Sequence, residues 1–365
     1  MLICAGGTGG GVYPAITVFE TLGLDEKSVL WVGGRGGMEE NLVTRRKIPF
    51  KTIPAAGVHG VALNKLPGNI WQLIKGFFES RKILRDFNPD VLLFTGGFVA
   101  FPMALAAAGK PSVLYVPDIE PGLALKALAR FANKIALTTK TSRAYFPNQS
   151  KLEVTGYPVR PGLKNWSQKD ALDYFNFESS IPTLVIAGGS KGARSINMAA
   201  LDILPKLLER IQVIHLTGHL DWEVVEESAQ KLPASQAARY QAFPYLHEMG
   251  AALAAADLIV SRAGASTLGE YPLFGLPAIL VPYPYAWRYQ KVNASYLVEH
   301  GAAQLLLDEN LKNDLYDHII NLIFDQKTLA QMRKAMTSLS TPEAAENISR
   351  LINDLAESAI GGEKL

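Results

Sequence analysis

The chain has 365 residues, of which 48% are hydrophobic, so we expect two domains, each with its own core. The 36 basic residues nearly balance the 34 acidic ones, which excludes the strongly basic surface of a nucleic-acid-binding protein. Cys4 is the only cysteine, which excludes a disulfide framework and a thiolate zinc site and fits a reducing compartment.

The predicted elements alternate between short apolar runs and helix-length segments along the whole chain. Continuous apolar strands with helices between them are typical of a parallel sheet that is covered on both faces. Segments 193–210 and 287–300 show the amphipathic pattern of such helices, and segment 98–108 predicts a buried helix too short to span a bilayer. The predicted strands are 2–5, 29–32, 91–94, 113–116, 134–137 and 152–155 in the first half, and 183–187, 212–216, 258–260, 278–281 and 303–307 in the second.

An internal repeat divides the chain. Residues 1–10 and 183–192 each predict a strand that runs into a glycine turn and then into a helix. We therefore expect an α/β protein of two Rossmann-like domains that face each other across a cleft, with ligands beyond the carboxyl ends of the strands. Pro158 and Pro161 bracket an extended segment and indicate the boundary. The predicted domains are 1–158 and 159–340, followed by a helix in 341–365.

Glycine turns follow three of the predicted strands. The turn 6–11 would let backbone amides approach a phosphate, while the next helix offers its positive end. It matches neither a dinucleotide fingerprint with a downstream acidic residue nor a loop that ends in Lys-Ser or Lys-Thr. Alone it is equally typical of any Rossmann turn. Together with Gly96-Gly97 and segment 188–193, it indicates a cleft that admits phosphates and a sugar.

Segment 65–87 predicts an amphipathic helix with two apolar surfaces. One surface should pack on the sheet; its residues are Ile70, Leu73, Phe77, Leu84 and Phe87. The other forms a flank of apolar and basic residues, namely Trp71, Ile74 and Phe78 beside Lys75, Arg81 and Lys82. Such a flank suits an anionic membrane surface. One broad buried face with solvated lysines is the alternative. No apolar run is long enough to cross a bilayer, so membrane contact is expected from one side only.

The densest motif lies in 261–270. A glycine turn there predicts a helix that opens at Ala265, whose first amides would hold a pyrophosphate. Glu270 would lie about one and a half turns into that helix, where a carboxylate accepts both hydroxyls of a ribose. An ordinary solvated glutamate is the alternative for this position. Gln290 would offer its amide to sugar hydroxyls.

Taken together, these motifs resemble the MurG family, the N-acetylglucosaminyltransferases that complete lipid II in peptidoglycan synthesis. The matching segments are 6–10, 95–98, 156–160, 188–194, 245–249 and 262–293. The resemblance implies a GT-B fold and inverting transfer from UDP-N-acetylglucosamine to a polyprenyl-linked muramoyl-pentapeptide acceptor. It also implies a peripheral protein on the cytoplasmic side of the cell membrane. The sequence has no Asp-x-Asp triplet, so neither a metal nor another cofactor is expected.

Site roles follow from the resemblance position by position. The domain 1–158 would face the acceptor and the membrane, 159–340 would bind the UDP-sugar, and the last helix would pack back on the first domain. Thr8, Gly9 and Gly10 would meet the donor from the N-terminal half. Arg160 and Ser190 would contact the diphosphate, and Leu246 would lie near the uracil. Phosphate and ribose would be held by Ala265, Ser266, Thr267, Leu268, Gly269 and Glu270, and Gln290 would reach the sugar.

The chain departs from the family pattern in two places. Gly11 stands where the family has histidine, and the family's His-Glu-Gln-Asn is replaced by residues 115–118, so that Asp118 takes the asparagine's position. Inverting transfer needs a base for the proton of the attacking hydroxyl. Asp118 or Glu120 would supply it, since both lie just past a strand. Alternatively, Asp118 keeps the asparagine's hydrogen bonds and Glu120 caps the next helix.

Other functions remain open from the sequence. A related synthase would transfer the sugar to diacylglycerol and would differ in its acceptor. A catalytically silent UDP-sugar-binding regulator would keep the donor residues without doing chemistry. An epimerase acting on the same nucleotide sugar would need acid and base groups around C2 of the sugar, for which the sequence offers no candidates.

Overall fold

The structure is a computed structural model that describes residues 1–7, 9–37, 39–57, 61–189, 192–284 and 289–362. The chain forms two compact units. One comprises Met1–Arg160 together with Pro342–Leu365, and the other comprises Pro161–Thr341. We refer to them as the N-terminal and the C-terminal unit.

The N-terminal unit is built on a parallel sheet. Its strands are β1 (Leu2–Cys4), β2 (Leu30–Gly34), β3 (Phe50–Ile53), β4 (Leu92–Phe94), β5 (Ser112–Val116), β6 (Lys134–Leu137) and β7 (Leu152–Val154). They lie in the order β3-β2-β1-β4-β5-β6-β7. Successive strands are therefore added on one side of β1 up to β3 and on its other side from β4 onwards, so the strand order reverses between β1 and β4. Beyond the carboxyl ends of such a pair, open α/β sheets bind their ligands.

Helices cover the sheet of the N-terminal unit. They are α1 (Gly9–Leu22), α2 (Glu39–Thr44), α3 (Leu66–Phe87), α4 (Ala100–Ala106), α5 (Leu123–Leu128) and, from the far end of the chain, α15 (Ala344–Gly362). The strands β1, β4 and β5 are buried along their whole length, as expected for a sheet covered on both faces. In α15, Ile348 and Ile352 are buried, and Asn347 Nδ2 donates a hydrogen bond of 3.3 Å to the carbonyl of Thr155.

The C-terminal unit repeats this plan with six parallel strands. They are β8 (Thr183–Ala187), β9 (Gln212–Leu216), β10 (Tyr240–Phe243), β11 (Leu258–Ser261), β12 (Ala278–Leu280) and β13 (Ala303–Leu305), in the order β10-β9-β8-β11-β12-β13. The reversal lies between β8 and β11. The helices are α6 (Gln168–Phe175), α7 (Arg194–Leu208), α8 (Trp222–Gln230), α9 (Ala234–Ala237), α10 (Met249–Ala255), α11 (Glu270–Phe274), α12 (Tyr289–Glu299), α13 (Leu311–Ile323) and α14 (Gln326–Ser338).

The prediction of two Rossmann-like α/β domains, the components of a GT-B fold, is confirmed. Each predicted strand is present to within a few residues, and two further strands, β3 and β10, were not predicted. Both lie at the edge of their sheet. In each of them only one residue is buried, Ile53 in β3 and Tyr240 in β10, so neither shows the continuous apolar run of a central strand.

Helix α3 has a well-defined beginning and end. Pro67 lies in its first turn, where a missing N–H costs nothing, and Asn88 ends it in the left-handed conformation with φ of 41°. Its buried residues are Gly76, Ser80, Ile83 and Leu84. Within the described part of the chain, no helix combines the length and the apolar character needed to cross a membrane.

One prediction for α3 is wrong. Ile70 was expected to pack on the sheet, but 45% of its surface is exposed. The helix approaches its neighbours tightly at Gly76, where a Cβ would collide with the carbonyl oxygen of Pro54 and touch the ring of Pro102. Because the buried face begins at this close approach, Ile70 lies beyond its start and joins the exposed flank.

Candidate active site

In the N-terminal unit, the glycine turns after β1 and β4 pack directly on each other. A Cβ on Gly97 would lie 2.6 Å from the carbonyl oxygen of Gly6, and Gly97 has a φ of +85°. Only glycine allows both the backbone conformation and the approach. A Cβ on Gly11 would lie 3.1 Å from both the carbonyl and the hydroxyl oxygen of Thr95, so the position of the missing histidine is backed directly by Thr95.

A buried carboxylate holds the first of these turns. Glu39, at the start of α2, is 1% exposed, and its oxygens accept hydrogen bonds from the N–H of Gly34 at 2.9 Å and of Gly7 at 3.3 Å. A Cβ on Gly6 or Gly37 would collide with this carboxylate. Glu39 therefore fixes the Gly6–Gly7 turn from inside. Sequence reasoning missed it, because a glutamate in the first turn of a helix usually needs no further explanation.

The first turn of α1 faces the same edge of the sheet. Its residues Gly9 and Gly10 are half-buried, and the leading amides of a helix have no carbonyl partner within it. The ring of Tyr13 packs beside Gly9, and the guanidinium carbon of Arg160 lies 5.2 Å from the centre of that ring. The structure thus brings Gly9, Gly10 and Arg160 to one end of α1. Thr8 lies outside the described residues.

Asp118 follows β5 at this edge, on a turn held by buried hydroxyls. Thr138 Oγ1 donates to the carbonyl of Val116 at 3.0 Å or of Pro117 at 2.9 Å. Because its single proton is used there, the hydroxyl of Tyr115 must donate to Thr138 Oγ1 across 2.8 Å. Burial raises the pKa of Tyr115 well above its usual value, so the phenol keeps the proton for this bond. The side chain of Asp118 is half-buried beyond the turn.

Glu120 differs from Asp118 in its surroundings. It is 5% exposed, and its Oε1 lies 3.8 Å from Nζ of Lys126 in α5. A buried carboxylate beside a cation is less accessible to a substrate than a half-buried one. Of the two predicted bases, Asp118 has the more accessible carboxylate.

In the C-terminal unit, the turn after β8 is tightly closed. The N–H of Gly192 donates to the carbonyl of Gly189 at 2.9 Å, and both residues have positive φ, +78° and +81°. A Cβ on Gly192 would collide with the carbonyl oxygen of Thr217, which follows β9. Gly192, at the end of this turn, is thus packed directly on the backbone that follows β9. Ser190 lies outside the described residues.

The motif after β11 forms two short helical pieces. A 3₁₀ turn spans Ala265–Leu268, and Thr267 Oγ1 donates to the carbonyl of Gly264 at 2.7 Å. The expected continuous helix from Ala265 is wrong, because α11 begins only at Glu270. The break lies at Gly269, whose φ of −123° is not helical, and Pro272 has no N–H to offer the carbonyl of Leu268. Glu270 is half-buried in the first turn of α11.

An arginine clamp fastens this motif to its neighbours. Arg262 Nη1 bonds Asp308 Oδ1 at 2.5 Å and the carbonyl of Val281 at 3.1 Å, while Nη2 donates to Ser195 Oγ at 2.7 Å. The clamp joins the ends of β11 and β12 to the start of α7 and the segment after β13. Sequence reasoning assigned Arg262 no role. The available signal was that Asp308 directly follows a predicted strand and that Ser195 lies at the start of the helix after another, at the edge where side chains of a parallel sheet converge.

Two further predicted residues lie in the C-terminal unit. Leu246 is half-buried in the loop between β10 and α10. Gln290, in α12, accepts a hydrogen bond of 2.8 Å from the N–H of Tyr283 through Oε1. This bond orients the amide, and a ligand would then be bound by its donor, Nε2. The turn 188–189 and the motif 264–270 follow adjacent strands, β8 and β11, so the structure brings them together at the reversal of strand order.

Comparisons with protein families match the chain in both halves. The model of the glycosyltransferase family 28 N-terminal domain matches residues 1–154, and that of the glycosyltransferase family 28 C-terminal domain matches residues 183–348. These matches cover both glycine-turn edges described above.

Individual relatives match over nearly their full length. A protein of Desulforamulus reducens named UDP-N-acetylglucosamine–N-acetylmuramyl-(pentapeptide) pyrophosphoryl-undecaprenol N-acetylglucosamine transferase is 35% identical, over 97% of this chain and 98% of its own. A protein of Desulfitobacterium hafniense with the same name is 37% identical, over 98% and 99%. The crystal structure of MurG from Acinetobacter baumannii superposes with a TM-score of 0.75 at 25% identity, covering 97% of this chain and 98% of that one.

Proposed function

Because the chain belongs to glycosyltransferase family 28 and, within it, to the MurG family, we propose that it transfers N-acetylglucosamine from UDP-N-acetylglucosamine to undecaprenyl-pyrophosphoryl-N-acetylmuramoyl-pentapeptide (lipid I), forming lipid II. The observation that carries the proposal is the full-length similarity to transferases of that name, at 35% and 37% identity. The residues that line the edges of both units suit this chemistry.

The C-terminal unit would bind the donor. The amides of Ala265 and Ser266, at the start of the 3₁₀ turn, and the Gly188–Gly189 turn offer N–H groups to the diphosphate. The same amides would stabilise the charge that develops on departing UDP. Glu270 would accept the ribose hydroxyls. Leu246 would contact the uracil, and Nε2 of Gln290 would donate to the sugar. Ser190 and Thr8 keep their roles in this proposal through the resemblance alone, and so do Thr267, Leu268 and Gly269.

The N-terminal unit would supply the base. The acceptor hydroxyl oxygen forms its bond to the anomeric carbon as the bond to UDP breaks, UDP leaves with the electron pair, and Asp118 takes the hydroxyl proton. Its half-buried position beyond a fixed turn supports this role. Glu120, buried against Lys126, would stabilise the same segment instead. Gly9 and Gly10, at the start of α1, would meet the donor from this unit, and Arg160 would contact the donor's diphosphate.

The exposed flank of α3 would hold the protein to the membrane that carries the acceptor. We define this flank as Ile70, Trp71, Ile74 and Phe78, which are 45%, 56%, 42% and 64% exposed. Nζ of Lys75 lies 5.3 Å from the centre of the Trp71 ring, so a cation accompanies the apolar side chains. This combination fits peripheral binding to anionic lipid on the cytoplasmic face of the cell membrane.

The test is transfer of radiolabelled N-acetylglucosamine from its UDP conjugate to lipid I in detergent micelles. Asp118→Asn keeps the shape of the side chain and removes the base, so we expect a fall in kcat of about a hundredfold or more with donor affinity kept. Glu120→Gln is the matched control, because it replaces the neighbouring carboxylate by an amide in the same way, and it should retain activity. Transfer to diacylglycerol but not to lipid I would overturn the acceptor, and binding without transfer to either would identify a silent regulator.

A further inference from the structure

A buried chain of hydrogen bonds crosses the C-terminal unit behind the turn after β8. Its members lie on β10, β9, α7 and the residue before α8. Tyr240 Oη is 2.8 Å from His215 Nδ1, and His215 Nε2 is 3.0 Å from Asn197 Oδ1. Asn197 Nδ2 donates to Asp221 Oδ2 at 2.8 Å, and Arg194 Nη1 donates to Asp221 Oδ1 at 2.7 Å.

The direction of every bond in this chain is determined by chemistry. Asn197 Nδ2 donates to Asp221 and also, at 2.8 Å, to the carbonyl of Thr217, so its Oδ1 can only accept. His215 therefore carries its proton on Nε2 and presents Nδ1 as an acceptor to the hydroxyl of Tyr240. Burial lowers the pKa of His215 to about 4, so the imidazole is neutral as this arrangement requires.

This chain of hydrogen bonds reaches the glycine turn at two places, Arg194 and the carbonyl of Thr217. Arg194 is the first residue of α7, directly after the turn, and its partner Asp221 is buried. The carbonyl of Thr217, which Asn197 holds, is the surface against which Gly192 packs. The hydrogen bond from His215 Nε2 to Asn197 Oδ1 fixes the orientation of the asparagine amide that binds the Thr217 carbonyl.

We propose that His215 is a positioning residue for nucleotide diphosphate binding: through Asn197 it fixes Thr217 and Asp221, and with them Gly192 at the end of the glycine turn and Arg194 at the start of α7. The inference rests on the proposed function, in which this turn binds the donor's diphosphate. Without the Nε2 proton, Asn197 Oδ1 is left buried without a donor, and the amide must reorient and release Thr217 or Asp221. A preorganised turn binds phosphate more tightly than one that must be ordered on binding.

Two substitutions at one position separate positioning from bulk stability. In His215→Gln, the amide nitrogen replaces Nε2 as donor to Asn197, whereas His215→Asn reaches only towards Tyr240. We expect His215→Asn to weaken UDP binding in calorimetry about tenfold and to speed amide exchange at Gly192, with His215→Gln close to wild type in both. Val213→Ala, in the same buried strand, is the control for lost stability and should leave UDP affinity unchanged.

Several outcomes would overturn the inference. Equal UDP affinity in His215→Asn and wild type would do so, as would an equal loss in Val213→Ala. If His215→Asn does not fold, Asp221→Asn breaks the chain nearer the surface and should weaken UDP binding in the same way; unchanged affinity there rejects the proposal. UDP binding by the wild type tests the proposed donor site, whereas amide exchange at Gly192 tests the positioning role of His215. A wild type that binds no UDP rejects the donor assignment, while slow exchange retained in His215→Asn rejects the positioning role itself.

Discussion

Thr138 holds the backbone that precedes Asp118, the proposed base. Its hydroxyl accepts from Tyr115 and donates to the carbonyls of Val116 or Pro117, so a single side chain sets the backbone that carries Asp118. The sequence predicted Asp118 from its place after a strand. It did not predict Thr138, because nothing in a local pattern reveals a partner on the neighbouring strand.

Replacing Thr138 should therefore affect turnover more than donor binding. Thr138→Val removes the hydroxyl and leaves the Pro117 carbonyl without its donor, so we expect kcat to fall about tenfold with the KM for UDP-N-acetylglucosamine unchanged. Thr138→Ser keeps the hydroxyl and should keep kcat. Steady-state kinetics of both variants check this. A parallel rise in the donor KM of Thr138→Val would instead indicate a general loss of structure.

His215 predicts how stability depends on pH. Burial holds its pKa near 4, below the ordinary 6.5, against a weaker opposite influence of the Asp221 carboxylate, and its other neighbour Tyr240 stays neutral. As pH falls below 6.5, the unfolded chain binds a proton that the folded chain refuses until pH is near 4. Stability is therefore full above pH 6.5 and decreases over that interval.

Between pH 7 and pH 5, this linkage amounts to about 2 kcal/mol of unfolding free energy. Urea unfolding of wild type and His215→Gln at both pH values measures it. The wild type should lose about that much more than the variant, which has no group to titrate at this position. Equal losses in the two proteins would mean that His215 is protonated alike in the folded and unfolded states.

At the scale of elements, the sequence predicted best where burial is two-sided. Central strands such as β1, β5 and β8 are buried along their whole length and, apart from the first residue of β5 and of β8, consist of apolar residues and Cys4, so an apolar run indicates their positions. The edge strands β3 and β10 escape this rule, and the helix expected from Ala265 is divided by Gly269 and Pro272. In these cases, neighbours in space and a missing N–H decide the structure, and local periodicity does not report either of them.

The exposed flank of α3 gives the element-scale prediction. Replacing Trp71 and Phe78 with glutamate removes two large apolar side chains and adds negative charge, so we expect partitioning onto phosphatidylglycerol vesicles to fall about tenfold or more. Cosedimentation with vesicles measures this partitioning. Leu220→Glu is the matched control, since Leu220 is 84% exposed in the C-terminal unit.

Measuring transfer activity shows whether the exposed flank of α3 contributes to membrane binding alone or also to the reaction. Transfer to a short-chain, water-soluble analogue of the acceptor should be unchanged in the Trp71 and Phe78 variant, because the flank would contact lipid and not the reacting groups. Vesicle binding equal to wild type would reject the membrane role of this helix and favour a protein partner for its apolar side chains.

At the scale of the whole molecule, the repeat of residues 1–10 in 183–192 predicted two similar α/β halves, and the structure adds that both sheets have the same strand order. The sequence did not predict the long-range contacts that complete each edge. Arg262 meets Ser195 and Asp308, which are 67 and 46 residues away, and Glu39 meets Gly7 across 32. These contacts depend on which strands are neighbours in the sheet, so they can be predicted only after the strand order is known.

Helix α15 has a consequence for the order in which the protein is made. The C-terminal unit is one continuous stretch, whereas the N-terminal unit is completed by residues that follow it, including buried Ile348 and Ile352. On the ribosome, the first domain to emerge is thus the last to be finished, and its α15-binding surface on α1 stays uncovered while some 180 residues are synthesised. During that interval the nascent chain offers an apolar surface to chaperones.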